Sequence, residues 1–85
     1  MKDNKITRKK YRLEVLERAL NSIYDAIEDY DNSLKYNTED LTEELDKPEE
    51  EQREWTIKDR RENIEQFTLK IEEAKKLITD LEKMV

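Results

Sequence analysis

Oxygen-bearing side chains recur between residues 29 and 40 with the spacing of the ligands in a calcium-binding loop. The set is Asp29, Asp31, Ser33, Asn37 and Asp40, with Lys35 where only a backbone carbonyl is needed. Such a loop turns sharply at its sixth position, normally Gly, and ends in a bidentate Glu. This chain has Leu34 and Asp40 at those two positions. We therefore predict no metal site and interpret the stretch as the polar end of a helix.

Few residue types are available for catalysis. The chain has no Cys and no His, which removes thiolate nucleophiles, thiolate zinc sites, disulfides and the commonest general base. Only carboxylates, amines and hydroxyls remain, and the expected fold offers them no obvious pocket. We predict a protein that is not an enzyme and that uses no cofactor.

The composition limits the class of protein. Charged residues make up 47% of the chain and apolar residues 34%, which alone would favour disorder. The absence of Gly, the single Pro and a periodic apolar pattern favour a folded chain instead. Its 85 residues allow one domain, residues 1–85. No apolar run approaches the roughly 20 residues that span a bilayer, and no signal-peptide core is present. We expect a cytoplasmic protein without membrane contact; the Lys-, Asn- and Ile-rich composition favours a bacterial or phage source.

Apolar residues recur every three or four positions in two long runs, the 3.5-residue repeat of helices that pack side by side. The predicted helix-seam positions are Leu13, Leu16, Leu20, Ile23, Ile27, Tyr30 and Leu34, followed by Ile57, Ile64, Phe67, Ile71, Ala74, Ile78 and Leu81. Ile6 and Val85 extend the two runs, and Arg60 interrupts the second. The predicted fold is all-α, an antiparallel helical hairpin resembling a coiled coil.

The two runs also predict a register. Partners in an antiparallel hairpin have residue numbers with a constant sum. Leu34 with Ile57 and Ile27 with Ile64 both give 91, which places the turn near residues 45 and 46.

Helix boundaries follow from this turn. Helix one is predicted over about residues 7–36, reaching residue 45 if the chain does not break at Asn37 or Thr38. An acidic tip covers about residues 37–54. Helix two is predicted over about residues 48–84, because Pro48 suits a first helical turn.

One side of such a hairpin stays in contact with water. Further apolar residues, including Ala19, Tyr24 and Leu77, widen the apolar stripe beyond what two helices cover. We predict a homodimer in which two hairpins form a four-helix bundle. The alternative is a monomer that meets a different protein.

Charge is distributed unevenly along the chain. Residues 1–12 contain the cations Lys2, Lys5, Arg8, Lys9, Lys10 and Arg12 against one acid. The predicted tip contains Glu39, Asp40, Glu43, Glu44, Asp46, Glu49, Glu50, Glu51 and Glu54, followed by Trp55. We treat these tip residues as candidate partner-binding residues. Trp55 either anchors a partner, as Trp often does at interfaces, or packs over the tip against Leu41 and Leu45.

A short segment near the predicted turn, "LTEELDK" at residues 41–47, resembles the Ser-Gln-Glu-Leu-Asp motif of the small helical-hairpin phosphatases that act on aspartyl-phosphate sporulation regulators. Residues 42–46 align, with Thr42 and Glu43 replacing the first two motif residues. In that family the motif lies within the second helix, whereas here Pro48 follows directly. The resemblance implies phosphatase activity that depends on Asp46.

Two further segments, "YDAIE" at residues 24–28 and "YNTED" at residues 36–40, are similar to the Tyr-x-x-x-Asp/Glu export pattern of type VII secretion partners. The Trp-x-Gly turn of those helical hairpins is missing, because Trp55 is followed by Thr56 and Ile57.

The leading functional prediction is a non-catalytic protein–protein interaction module. One form is a structural or adaptor subunit whose seam completes a bundle. The other is an inhibitor, comparable with phage anti-CRISPR proteins, whose carboxylates mimic nucleic acid on a partner's basic surface. Direct nucleic-acid binding is not expected, because the net charge is −6.

Overall fold

The chain folds as two long helices joined by a short loop. The computed structural model describes residues 4–84, with only the backbone for Asn4, so the seam position Val85 and the cation Lys2 lie outside the described residues. Helix α1 spans Asn4–Asp46 and helix α2 spans Glu54–Glu82, with a 3-10 helix at Glu49–Glu51 between them. The two helices pack against each other as an extended hairpin that measures 76 × 15 × 14 Å. The predicted all-helical hairpin is confirmed. Neither described helix has a stretch apolar and long enough to cross a membrane.

Helix α1 continues without a break through residues 37 and 38. Asn37 and Thr38 do not cap a new helix; each side chain donates to the backbone carbonyl four residues earlier, at 2.7 and 2.8 Å. The helix ends at Asp46 because the next residue, Lys47, precedes Pro48. The ring of a Pro disfavours helical backbone at the residue before it.

The loop Lys47–Arg53 closes the hairpin. Pro48 has an extended backbone (φ −52°, ψ 145°) and precedes the 3-10 helix, so α2 begins at Glu54 and not near residue 48. The side chain of Gln52 donates to the carbonyls of Leu45 and Lys47 at 3.0 and 2.8 Å. It thereby satisfies carbonyls at the end of α1 that have no partner within the helix.

The observed register differs from the predicted one by one heptad. The rings of Tyr30 and Phe67 have centroids 6.1 Å apart, and Asn63 donates to Asn37 at 3.0 Å. The residue numbers of these pairs add up to 97 and 100, where the prediction required 90 or 91. The prediction was therefore wrong in register, although its seam pattern matches equally well after a shift of seven residues.

Polar residues explain which register is adopted. The predicted register would have placed Asp40 level with Glu51, two acids facing each other. In the structure Asp40 instead accepts a hydrogen bond from Arg60 at 2.5 Å, and Glu44 accepts one from Arg53 at 2.8 Å. Arg60, which interrupts the apolar run, is thus a partner across the helix interface. A shift by one heptad preserves apolar matching but not charge matching, so the charges select the register.

The apolar core of the hairpin is thin. Among the described residues, Ile71 and Ile78 are the buried apolar side chains, while most other predicted seam residues are partly exposed. Leu13 is exposed because α2 ends at Glu82, which in this register is level with about residues 15–18 of α1. Beyond Leu13, helix α1 continues for nine residues without a partner helix.

Candidate interaction surface

The acidic tip is held together by Glu44. This side chain is 2% exposed, and its two oxygens lie 2.9 Å from Lys47 Nζ and 2.8 Å from Arg53 Nε. Oε1 accepts a hydrogen bond from Arg53, and Oε2 forms an ion pair with Lys47. Lys47 and Arg53 lower the pKa of Glu44 below its ordinary value, against the opposing effect of burial. Glu44 therefore joins the end of α1 to the loop.

Two more polar contacts continue this arrangement along the interface. Arg60 forms ion pairs with Asp40 and Asp59, and Asp40 is the main reason that the pKa of Arg60 is raised. One level further on, the buried Asn37 accepts from Asn63 at 3.0 Å. The polar contacts across the interface are therefore concentrated in the half of the hairpin near the loop, and the buried apolar residues lie in the other half.

The predicted tip residues fall into two groups. Asp40 and Glu44 are occupied by contacts within the hairpin. The others are exposed: Glu39, Glu43, Asp46, Glu49, Glu50, Glu51 and Glu54. Trp55 is 74% exposed, and Leu45 is also exposed, so Trp55 does not pack over the tip.

An apolar groove runs along one face of the hairpin, in the half away from the loop. It has a volume of about 530 Å³, and its walls include Ile23, Ala26, Tyr30, Leu69, Ala74 and Leu77. Leu69 and Leu77 are exposed there. At one end of the groove, the Lys70 ammonium lies over the Tyr30 and Phe67 rings, 5.7 and 5.1 Å from their centroids. Lys70 thus covers part of the apolar surface with its own side chain.

A basic surface lies on the same face, toward the start of α1. Lys5, Arg8, Lys9 and Arg12 line a depression there with Leu13 and Met84. We call residues 5–12 the basic arm. Arg12 precedes the groove residue Ala26 by two heptads, and Lys9 precedes Ile23 by two. Multiples of seven keep positions on one side of a helix that follows a 3.5-residue repeat.

The tip side of this face is acidic. A depression there is lined by Asp40, Glu43 and Glu44 together with Lys47, Arg53 and Thr56. Asp40 follows Ala26 by two heptads, which continues the groove side of α1. A single face of the hairpin therefore changes from basic to apolar to acidic along its length.

The remaining motifs have clear positions. The calcium-like spacing lies within continuous helix α1, and residues 4–84 contain no group of three or more acidic side chains placed to hold a metal. Within the phosphatase-like segment, Glu44 is engaged by Arg53, and the exposed Asp46 is the last residue of α1. Both Tyr-x-x-x-Asp/Glu segments are also within α1. Comparisons with models of protein families, with curated proteins and with solved structures found no match to this chain.

Sequence reasoning missed the polar contacts across the interface. Asn37, Asn63 and Thr56 lie at or near the interface, yet none was predicted there. The available signal was charge: acids at 40 and 44 face arginines at 60 and 53 only in the observed register.

Proposed function

We propose that this chain is a non-catalytic protein–protein interaction module that binds its partner through the acidic tip, with Trp55 as the anchor. The observation that carries this proposal is the 74% exposure of Trp55. A Trp side chain exposed to this extent keeps most of its apolar area available for a partner. Trp is among the residues that contribute most binding free energy when buried at an interface.

The charge around Trp55 indicates the chemistry of the partner. Glu54, Glu51 and Glu50 are exposed carboxylates of the same tip. A basic protein surface, such as one that binds nucleic acid, complements them. The carboxylates then take the places of phosphates, and the module acts as an inhibitor by competing with the nucleic acid. Association of this kind is fast at low salt and weakens as salt screens the charges.

Site-specific photo-crosslinking tests the anchor. A photoreactive residue at position 55 should crosslink to one cellular protein. The crosslinking yield should fall as the salt concentration is raised. Tyr24 is the matched control, because it is an exposed aromatic residue of α1 far from the tip. Trp55→Ala should then weaken binding to the captured protein by about 2 kcal/mol, or roughly thirtyfold. Equal crosslinking of the captured protein from positions 24 and 55, or none from 55, would contradict the proposal; a crosslink between two copies of this chain from position 24 does not bear on it.

The apolar groove supports a second contact of the same module. Two helices leave Leu69 and Leu77 exposed along it, and such apolar stripes are normally covered by further helices. A second copy of the chain closes the groove, and two hairpins form a four-helix bundle. Light scattering should give twice the 10.4 kDa mass of the chain; a mass of 10.4 kDa at micromolar concentration would rule the dimer out.

A further inference from the structure

We propose that the second copy docks antiparallel to the first, so that the basic arm of each copy lies along the acidic tip of the other. This inference rests on the proposed dimer. It adds the orientation of the two copies, the surfaces through which they meet and the charges that favour this orientation.

The position of the groove is the first support. The groove spans residues 22–30 of α1 and residues 69–77 of α2. Facing residues of the two helices have numbers that add up to 97–100, so both walls are centred near residues 25 and 26 of α1. A twofold axis through this centre brings residues 5–12 of one copy level with about residues 39–46 of the other. The arm and this part of the tip each lie about 25 Å from the centre, at 1.5 Å per residue.

The charges of these two segments are complementary. Residues 5–12 carry five cations and no acid, and residues 39–46 carry five acids and no cation. Asp40 and Glu44 are partly neutralised by Arg60 and Arg53 within their own hairpin, whereas Glu39, Glu43 and Asp46 form no ion pair with any residue that the structure describes. In a parallel dimer each basic arm would lie beside the other, and like charges across an interface oppose association.

The second support is that the charged residues concerned lie on the same side of α1 as the groove. The cations that line the basic depression are on the groove side of α1, whereas Lys10 is outside that lining. On the acidic side, Glu43 lines the depression at the tip and Glu39 does not. The same face thus presents an apolar centre with opposite charges at equal distances on either side, which is the pattern that an isologous antiparallel contact requires.

This dimer leaves the loop part of the proposed partner site exposed. The arm of the second copy reaches about residue 46, so the loop Lys47–Arg53 with Glu49–Glu51 extends past its end. A partner that binds this loop can therefore meet either end of the dimer, whereas Trp55 is level with about residues 42–45 of α1, beside the end of the arm.

Charge exchange between two variants tests the contact between arm and tip. Lys9→Glu and Glu43→Lys should each weaken homodimerisation on the order of tenfold or more, because each places like charges against each other twice. An equimolar mixture of the two variants should restore a dimer, since the exchanged charges attract. Lys10→Glu and Glu39→Lys are the matched controls and should have smaller effects. Controls that weaken the dimer as much as the test variants, or a mixture that restores nothing, would overturn the proposal.

Spin labels test the orientation independently. The chain has no Cys, so Thr42→Cys gives a single label site on an exposed side of α1. In the antiparallel dimer the two labels are separated by about 50 Å along the bundle axis. In a parallel dimer they are level and separated only by the bundle width. A short distance overturns the orientation but leaves the dimer standing. A monomer overturns both, while crosslinking from position 55 still decides the partner site separately.

Discussion

At the scale of single residues, Glu44 shows how an acidic protein uses a carboxylate for structure. It is one of nine acids in the tip, yet it is 2% exposed and contacts two cations. Its neighbour Glu43 is exposed. Their identical chemistry gives different roles because only position 44 faces the loop and α2.

Replacing Glu44 should change how stability depends on pH. The folded-state pKa of Glu44 lies below the unfolded value of about 4.3. The charged carboxylate therefore stabilises the fold above that value, and this contribution is lost as pH falls through the folded-state pKa. Glu44→Gln should melt at a lower temperature than the wild type at pH 7, and the difference should shrink below about pH 4.

Circular dichroism melts at both pH values measure this effect. Glu39→Gln is the control, because it removes the same charge from an exposed position outside the proposed dimer contact and should shift the melting temperature less. A Glu44→Gln variant that melts at the wild-type temperature at pH 7 would show that the contacts of Glu44 with Lys47 and Arg53 contribute nothing to stability.

At the scale of the elements, the two helices have unequal lengths and unequal support. Helix α1 has 43 residues and α2 has 29. The stretch of α1 that faces α2 is stabilised by packing, while the basic arm has no neighbouring helix in the hairpin. Replacing the same type of apolar residue should therefore lower the stability of the fold where the two helices pack and change it little in the basic arm.

A pair of identical substitutions measures this difference. Ile78→Ala should destabilise the fold by about 2–4 kcal/mol, because Ile78 is 7% exposed in the core. Ile6→Ala should change stability by less than about 0.5 kcal/mol, because Ile6 is 75% exposed in the arm. Urea denaturation followed by circular dichroism gives both values. Equal losses would mean that the arm is packed in solution.

At the scale of the whole molecule, the hairpin is a rod. Its radius of gyration is 20.4 Å, whereas a compact domain of this length has a radius of about 12 Å. Such a shape spreads charge and apolar surface along one axis and allows contacts to be matched end to end.

Small-angle X-ray scattering should give a radius of gyration near 20.4 Å. The antiparallel dimer has nearly the same length as one hairpin, so doubling of the mass should raise this radius only slightly. A value of about 12 Å would indicate a compact fold, and one near 29 Å an unfolded chain. Circular dichroism of the same sample supplies the control for helix content.

Local pattern in the sequence was sufficient to predict the two helices and their pairing as an extended hairpin. The 3.5-residue repeat, the lack of Gly and the single Pro at 48 act over short distances along the chain, so they can be read without coordinates. The sequence also shows directly where the charges of the basic arm and the acidic tip lie along the chain.

Tertiary structure decided the register, the start of α2 at Glu54 and the division of the tip acids into paired and exposed groups. A heptad repeat matches itself after every shift of seven residues, so apolar pattern alone leaves several registers equally favourable. Only the pairing of Asp40 with Arg60 and of Glu44 with Arg53, across the closed loop, removes that degeneracy.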